Sequence, residues 1–266
     1  MIEGNVTFAA TPKLKMNLLI DIGNTSCKLA YQEEGRIINV VRVPHEDNIP
    51  EALESQPQST GFDTIVLCTV RTRKHLLEYF LRTRCSRFII FDLDYVKEHL
   101  LDKYRVMNGM PEGMGADRLA AILAANHLYP DTDLLVFDFG TATTVEFISS
   151  CNEYEGGSIS LGLYSRYRAL NLITDGIPLI HPKEFLDSGR ELSTFGYDLH
   201  SALAAGNILG IEFEIEGYIA RHPHRKVVMT GGDAPLIASL LKTEVILEDD
   251  LVLIGLAQII KDEQNA

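Results

Sequence analysis

The stretch LLIDIGNT (18–25) decides the fold, because its design returns in LLVFDFGTAT (134–143). Each stretch opens as an apolar strand, continues with Asp, an apolar residue and Gly, and closes in a turn of Asn or Thr. Asp21 and Asp138 lie 117 residues apart, close to half of a chain of 266 residues. The sequence therefore predicts a coarse internal duplication, with one such turn in each half.

Strand-like and helix-like segments alternate around both stretches. In the first half, strand-like segments at 27–32 and 36–43 follow the quoted stretch, and in the second half those at 144–149 and 157–162 do the same. Helix-like segments come after them in each half, among them 71–84 and a long one over about 197–220. This order is typical of a mixed sheet with helices packed on it. We therefore expect an α/β protein of two similar halves that face each other.

The chain length of 266 residues allows one large domain or two of roughly 100–150 residues. The duplication favours two, with an N-terminal domain over 16–129 and a C-terminal domain over 130–266. Residues 1–15 precede Met16, which opens the first strong strand, and they lack the continuous apolar stretch of a signal peptide. We expect them to form a loose N-terminal extension.

The charge balance is acidic, with 24 Lys and Arg against 37 Asp and Glu, a formal net charge of −13. Such a chain has no general electrostatic attraction for nucleic acid or an anionic membrane surface. No apolar run reaches the roughly 18 residues of a membrane span. The four cysteines form no Cys-x-x-Cys pair, which favours reduced thiols. The composition predicts a cytoplasmic protein with neither nucleic-acid nor membrane partners.

The turn after Asp21 has the composition of a phosphate-binding loop. Gly23 permits a turn that residues with a Cβ resist, while Asn24 and Thr25 supply donors beside the turn amides. Lys28, on the following strand, would reach a phosphate as a point charge. A carboxylate repels phosphate unless a cation lies between them, so the loop favours ATP bound with Mg²⁺ at Asp21. By itself, a plain hairpin turn explains the segment equally well.

Two later segments extend the nucleotide interpretation. DFGTATT (138–144) repeats the acidic loop with three threonine hydroxyls. MTGGD (229–233) ends a strand and opens a helix, where Gly231 and Gly232 would let the backbone approach the adenosine side of a nucleotide. A strand-to-helix turn alone would also explain these glycines. Together, the three segments predict that a nucleotide binds between the two halves.

The segment GMGADR (113–118) opens a helix-like run over 116–129. One interpretation is that Asp117 stabilises the first turn through the helix dipole. The other is that Asp117 accepts a hydrogen bond from a substrate hydroxyl and takes its proton as phosphate is transferred. Arg118 would then bind an anionic group or support the loop. The residues by themselves leave both interpretations open.

Five motifs resemble, in order, those of the type III pantothenate kinases: DIGNTSCK (21–28), GADR (115–118), DFGTATT (138–144), a glycine pair at 156–157 and TGG (230–232). This family belongs to the acetate and sugar kinase/Hsp70/actin superfamily. The resemblance implies two RNase H-like (actin-like ATPase) halves with ATP in the cleft between them, and a homodimer. It also implies ATP-dependent phosphorylation of pantothenate, the first step of coenzyme A synthesis. The implied cofactors are ATP with Mg²⁺ and a monovalent cation, K⁺ or NH₄⁺.

The same resemblance implies roles for individual residues. The loop from Asp21 to Lys28 would bind phosphate, and Thr141 would contact ATP. Asp138 would hold the monovalent cation. Asp117 would be the general base, and four consecutive residues would contact pantothenate: Gly115, Ala116, Asp117 and Arg118.

Three positions depart from the family pattern. Asn108 stands where the family usually has a Tyr that lines the pantothenate pocket, and Leu199 replaces a Thr that contacts pantothenate. Leu161 replaces the proline of a Pro-Gly-Leu turn. ATP-side residues are thus kept while acceptor-side residues differ, which supports kinase chemistry more firmly than it supports pantothenate. A kinase of another small alcohol and a non-catalytic nucleotide-binding regulator of the same fold remain the alternatives.

Overall fold

The computed structural model describes residues 16–56 and 61–264. The predicted N-terminal extension, residues 1–15, lies outside the described residues. The predicted strands are all present, with ends that differ by up to three residues from the expected bounds. No helix in the described ranges is both long and apolar enough to cross a membrane.

The first half forms a five-stranded mixed sheet in the order β3-β2-β1-β4-β5. The pairs β1–β2 and β2–β3 are antiparallel, whereas β1–β4 and β4–β5 are parallel. Its strands are β1 (Met16–Ile22), β2 (Cys27–Glu33), β3 (Arg36–Val43), β4 (Phe62–Thr69) and β5 (Cys85–Phe91).

The second half repeats this topology, with its sheet in the order β10-β9-β6-β7-β8. Here β6–β7 and β7–β8 are antiparallel, and β6–β9 and β9–β10 are parallel. Its strands are β6 (Leu134–Phe139), β7 (Ala142–Ile148), β8 (Tyr154–Leu161), β9 (Lys226–Thr230) and β10 (Ile246–Leu247). The central strands β1 and β6 therefore occupy equivalent places, and the predicted fold of two similar halves is confirmed.

The described helices pack around these sheets. They are α1 (Ile49–Glu54), α2 (His75–Arg82), α3 (Leu93–His99), α4 (Ala116–Leu128), α5 (Leu163–Ile173), α6 (Pro182–Leu186), α7 (Leu199–Ala204), α8 (Gly210–Arg221), α9 (Ala234–Leu240) and α10 (Leu251–Gln264). A π-helical turn, Ala205–Leu209, joins α7 to α8. Such turns interrupt the regular α-helical hydrogen bonding, so the single helix predicted over 197–220 is divided near Gly206.

The helix predicted over 71–84 is shorter than expected, because α2 begins only at His75. The backbone N–H of Arg71 donates to Thr69 Oγ1, and Lys74 has an extended backbone. A local side-chain-to-backbone bond of this kind competes with helix formation. Apolar spacing alone therefore placed the start of this helix four residues too early.

Helices α4 and α10 pack together within the largest apolar cluster, which includes residues of both sheets. Leu19 and Val66 come from the first sheet, and Val136 and Val228 from the second. The two helices are in close contact, since a Cβ on Gly255 would lie 2.1 Å from the carbonyl oxygen of Ala120. This packing holds the two halves together and fixes the first turn of α4. The domain boundary at 129/130 stays a prediction.

Candidate active site

A cavity of about 450 Å³ opens where the two halves meet, beyond the ends of β1 and β6. The structure brings the predicted nucleotide-side residues and the predicted base to its wall: Asp21, Gly23, Asn24, Thr25, Lys28, Asp117, Asp138, Thr141, Gly231 and Gly232. These residues come from four separate segments of the chain. Ends of neighbouring strands at a topological switch are where ligands bind in α/β sheets.

The two acidic turns, after Asp21 and after Asp138, contact each other at the cavity wall. Gly23 donates its N–H to the carbonyl of Ser26 at 3.1 Å, and Gly140 donates to that of Ala142 at 3.0 Å. Thr25 Oγ1 and Thr141 Oγ1 share a hydrogen bond of 2.6 Å. The duplicated turns are therefore joined through threonine hydroxyls at one cavity wall, and polar turns of this kind are suited to bind anions.

The glycine turn after β9 supports the second acidic loop. Gly231 has a φ of +96°, and a Cβ there would lie 2.5 Å from Asp138 Oδ1 and from the Phe139 nitrogen. Gly232, in contrast, has nothing within 4 Å of the position of a Cβ and lines the cavity. Gly231 is thus required for close packing, and Gly232 leaves space at the cavity wall.

Three carboxylates line the cavity, and burial is the main cause of a raised pKa at each of them. Burial raises the pKa of Asp21 to about 7; the Lys28 ammonium opposes this rise, and repulsion from the carboxylates of Asp117, Asp138 and Asp250 adds to it. Burial likewise raises the pKa of Asp138 to about 6, again with repulsion from Asp117. The pKa of Asp117 is also raised, chiefly by burial. The ionised carboxylates therefore need cations near them.

The donor set fits a cation that is completed by other ligands. Asp21 Oδ1 is buried and has no hydrogen-bond partner within the described residues. Yet across residues 16–56 and 61–264, no group of three or more His, Cys, Asp or Glu side chains could hold a metal ion. Mg²⁺ characteristically takes one or two carboxylates and completes its shell with water and phosphate oxygens. The site is therefore suited to an ion that arrives with a nucleotide.

Lys28 lies at the cavity opposite Asp21 in the β1–β2 register. Its Nζ contacts Asp250 Oδ1 at 3.1 Å and donates to the Asp249 carbonyl at 3.3 Å. Arg42 also contacts Asp250 Oδ1, at 3.2 Å. The ammonium group is thus held at the cavity edge by the segment that leads into α10, as the charged partner of the first acidic turn.

Asp117 lies in the first turn of α4, and its Oδ1 accepts the backbone N–H of Arg118 at 2.8 Å. A Cβ on Gly115 would lie 2.6 Å from the same oxygen. The carboxylate therefore makes the local contact expected for helix stabilisation and also lines the cavity. Both interpretations drawn from the sequence are compatible with this position.

The remaining acceptor-side predictions do not line the cavity, and they separate into different environments. Asn108 donates its amide to the carbonyls of Leu101 and Arg105, so its side chain supports its own turn. Leu199 is the first residue of α7 and is 41% exposed. The other predicted acceptor-side residues outside the cavity lining are Gly115, Ala116 and Arg118. The Arg118 side chain pairs with Glu146 on β7.

Sequence analysis missed one wall of the cavity, formed by the start of α5 and by His181. Tyr164, Ser165 and Arg168 line the cavity, and the rings of Tyr164 and His181 lie 4.6 Å apart. Ser165 Oγ donates to the carbonyl of Thr141 at 2.6 Å. The available signal was Gly162, which opens a helix directly after the third strand of the second half.

Comparison with known proteins is consistent with this geometry. The model of the family described as "Type III pantothenate kinase" matches residues 17–221. A curated relative of that name from Phocaeicola vulgatus is 35% identical over 252 residues, which cover 92% of this chain and 98% of the relative.

Solved structures share the fold. A conserved putative Baf family transcriptional activator from Campylobacter jejuni superposes with a TM-score of 0.62 at 24% identity, covering 94% of this chain and 100% of its own. The activator of the 2-hydroxyisocaproyl-CoA dehydratase from Clostridium difficile, with bound ADPNP, superposes with a TM-score of 0.54 at 12% identity, covering 94% and 96%. At these identities the likeness concerns the two-lobed fold alone.

Proposed function

Because the chain belongs to the type III pantothenate kinase family, we propose that it transfers the γ-phosphate of ATP to the primary hydroxyl of pantothenate, the first step of coenzyme A synthesis. The observation that carries this proposal is the meeting of Asp21, Asp117 and Asp138 in one cavity between the halves. A cavity with amide-rich turns and three carboxylates combines groups for phosphate, for cations and for a proton. We place the reaction in the cytoplasm.

The nucleotide would occupy the cleft with its phosphates on the two acidic turns. Thr25, Thr141 and Lys28 would contact the phosphates, and the Gly231–Gly232 turn would lie beside the adenosine. Type III pantothenate kinases use ATP with Mg²⁺ and a monovalent cation. We propose that Asp21 holds Mg²⁺ and Asp138 the monovalent cation. When bound, these ions neutralise negative charge on the phosphates.

Asp117 would act as the general base of the reaction. It would accept a hydrogen bond from the acceptor hydroxyl, orient the oxygen toward the γ-phosphate and take the proton as the new P–O bond forms. Burial raises its pKa, which makes the carboxylate a better proton acceptor than an exposed Asp. Most of the rate enhancement would still come from positioning and electrostatics.

The identity of the acceptor is the weaker part of the pattern, and a kinase of another small alcohol is the second candidate. The observation that favours it is the use of the Asn108 amide within its own turn, together with an apolar Leu199. Neither side chain offers pantothenate the hydroxyl that the family pattern has there.

A single coupled assay distinguishes these functions: ADP release from the full chain with ATP and Mg²⁺, with or without pantothenate and K⁺. Release that requires pantothenate and increases with K⁺ supports the proposal. Turnover with another small alcohol but not with pantothenate would favour the second candidate. ATP binding without turnover of any acceptor would indicate a nucleotide-binding regulator.

We propose in addition that the protein is a homodimer formed through edge strand β8. Ile159 and Leu161 are exposed on this strand. Ser158 and Ser160, which alternate with them, are hydrogen-bonded to Tyr218 and Glu214 of α8, so the exposed pair lies on the side of the strand away from α8. A free strand edge with apolar side chains favours association. Light scattering of the wild type and of Ile159→Glu tests it, the variant being expected to form monomers.

A further inference from the structure

A buried ion pair joins Arg118, the residue after Asp117, to Glu146 on β7. Arg118 Nε donates to Glu146 Oε1 at 2.5 Å, and Nη2 donates to Oε2 at 2.8 Å. The Tyr154 hydroxyl donates to the same Oε2 at 2.9 Å. The Glu146 side chain is only 2% exposed. The Glu146 carboxylate, itself fixed by Tyr154, therefore holds the Nε–Nη2 edge of the Arg118 guanidinium in one orientation.

The strand next to Glu146 leaves space for this pair. Gly157 lies opposite Glu146 in the β7–β8 register. A Cβ at Gly157 would lie 2.4 Å from Glu146 Oε2 and 2.8 Å from Arg118 Nη2. Any larger residue would displace the pair, so the glycine and the ion pair are parts of one arrangement.

Stability alone does not account for this arrangement. The cost of removing two charges from water commonly equals or exceeds their attraction, and apolar residues of similar volume are often as stabilising. The two N–H groups of Arg118 Nη1 also remain available, because no described residue accepts a hydrogen bond from them. An arginine fixed at one edge with an unengaged amino group is suited to bind an anion.

We propose that Glu146 is a positioning residue, which with Tyr154 fixes the Arg118 guanidinium so that its Nη1 group binds the carboxylate of the acceptor. This inference rests on the proposed pantothenate kinase function, since pantothenate carries a carboxylate as well as its primary hydroxyl. Asp117 contacts the primary hydroxyl of pantothenate, and Arg118 binds its carboxylate. The Glu146 carboxylate thereby acts on substrate recognition without contacting the substrate.

The test measures steady-state kinetics of Glu146→Gln with pantothenate and with pantothenol, in which an alcohol replaces the carboxylate. Loss of a hydrogen bond to a charged group predicts a rise of about 10-fold in KM for pantothenate. The KM for ATP and all parameters for pantothenol should stay within about twofold of the wild type. Glu146→Asp, which keeps the charge, should restore part of the affinity.

A matched control is Glu214→Gln. Glu214 pairs with Arg166 and accepts a hydrogen bond from Ser160, but this arrangement joins α8 to α5 and β8 rather than to the first turn of α4. Its loss should leave the KM for pantothenate unchanged. If Glu146→Gln melts below the assay temperature, Tyr154→Phe carries the test, with a smaller rise of about threefold in the same KM.

Three results would overturn the inference. An unchanged or lower KM for pantothenate in both Glu146→Gln and Tyr154→Phe would show that Glu146 and Tyr154 do not position the Arg118 guanidinium for substrate binding. Equal losses with pantothenol would assign Glu146 a structural role. A wild-type enzyme that does not turn over pantothenate would instead remove the proposed function, and the inference with it.

Discussion

The two halves share one topology but differ in what surrounds their acidic turns. Asp21 is opposed on the neighbouring strand by Lys28, whereas Asp138 is opposed by Thr144. The second half also places a long segment, 162–225, between its third and fourth strands, and part of that segment lines the cavity. Duplication therefore supplies two phosphate turns of the same shape, and the substituted residues give each half different charge chemistry.

The helices that end the two halves differ in the same way. Asp117 lies in the first turn of α4 and faces the cavity. Asp250, directly before α10, is engaged by Lys28 and Arg42. Equivalent places in the fold thus hold one carboxylate available to a substrate and one neutralised by ion pairs.

The largest expected effect separates these two carboxylates. Asp117→Asn should lower kcat by roughly 10²–10⁴-fold because the general base is lost, while the Kd for ATP stays within a few-fold of the wild type. Asp250→Asn is the matched control and should retain far more of kcat than Asp117→Asn, because its carboxylate orients Lys28 and Arg42 but takes no proton from the acceptor. Isothermal titration and the ADP-release assay measure both. Near-normal turnover by Asp117→Asn would remove it from the base role.

The next largest effect is the pH dependence of the free energy of unfolding, which should differ between Asp21 and Asp138. The pKa of each Asp is raised by folding, so its contribution to stability is full below about pH 4 and is lost as the pH rises through about 6 for Asp138 and about 7 for Asp21. Without ligands, Asp21→Asn should gain stability relative to the wild type between pH 5 and 8, by on the order of a few kcal/mol.

Urea unfolding at several pH values measures this difference. Both gains should begin near pH 4, and the gain for Asp138→Asn should level off about one pH unit lower than that for Asp21→Asn, at about 6 rather than about 7. Mg²⁺ with ATP should reduce both gains. A stability difference that does not vary with pH would contradict the assignment of burial as the cause of the raised pKa values.

A smaller effect concerns the glycine turn behind Asp138. Gly231→Ala should destabilise the protein by about 1–3 kcal/mol, because it combines a positive φ with a contact of 2.5 Å to Asp138. Gly232→Ala is the neighbouring control, with space for a Cβ, and should change the free energy of unfolding by less than about 1 kcal/mol. Thermal unfolding compares them, and equal losses would contradict the packing argument.

The smallest effect tests the contact between the halves. Thr25 and Thr141 share one exposed hydrogen bond, so a double-mutant cycle with Thr25→Val and Thr141→Val should give a coupling energy of about 0.5–1 kcal/mol in stability. Additive single losses would show that the two turns do not stabilise each other through this bond.

Local pattern predicted the sheets well and the helices less evenly. Buried strands such as β1 and β6 were recognisable because continuous apolar runs that end at Asp-x-Gly have few alternatives. The start of α2 was placed too early, since the Thr69–Arg71 bond that opposes a helix does not show in hydrophobic spacing. The short α1 was missed altogether.

Sequence patterns predict much of the site: the residues on the two duplicated turns, the glycine turn and Asp117. The structure brings them together in one cavity. Arg168 and His181 were not predicted, because they belong to a helix and a loop with no phosphate-loop pattern of their own. Their place at the wall follows from how α5 packs beside Thr141.

The sequence by itself determined the two-half α/β fold, the acidic turns and the position of Asp117 at a helix start, because each depends on residues adjacent in the chain. Tertiary structure alone decided that Glu146 pairs with Arg118 across 28 residues, that Lys28 is held by Asp250, and that Asn108 turns to its own backbone. Burial and the cost of unpaired charge select such partners only after the strands and helices have packed.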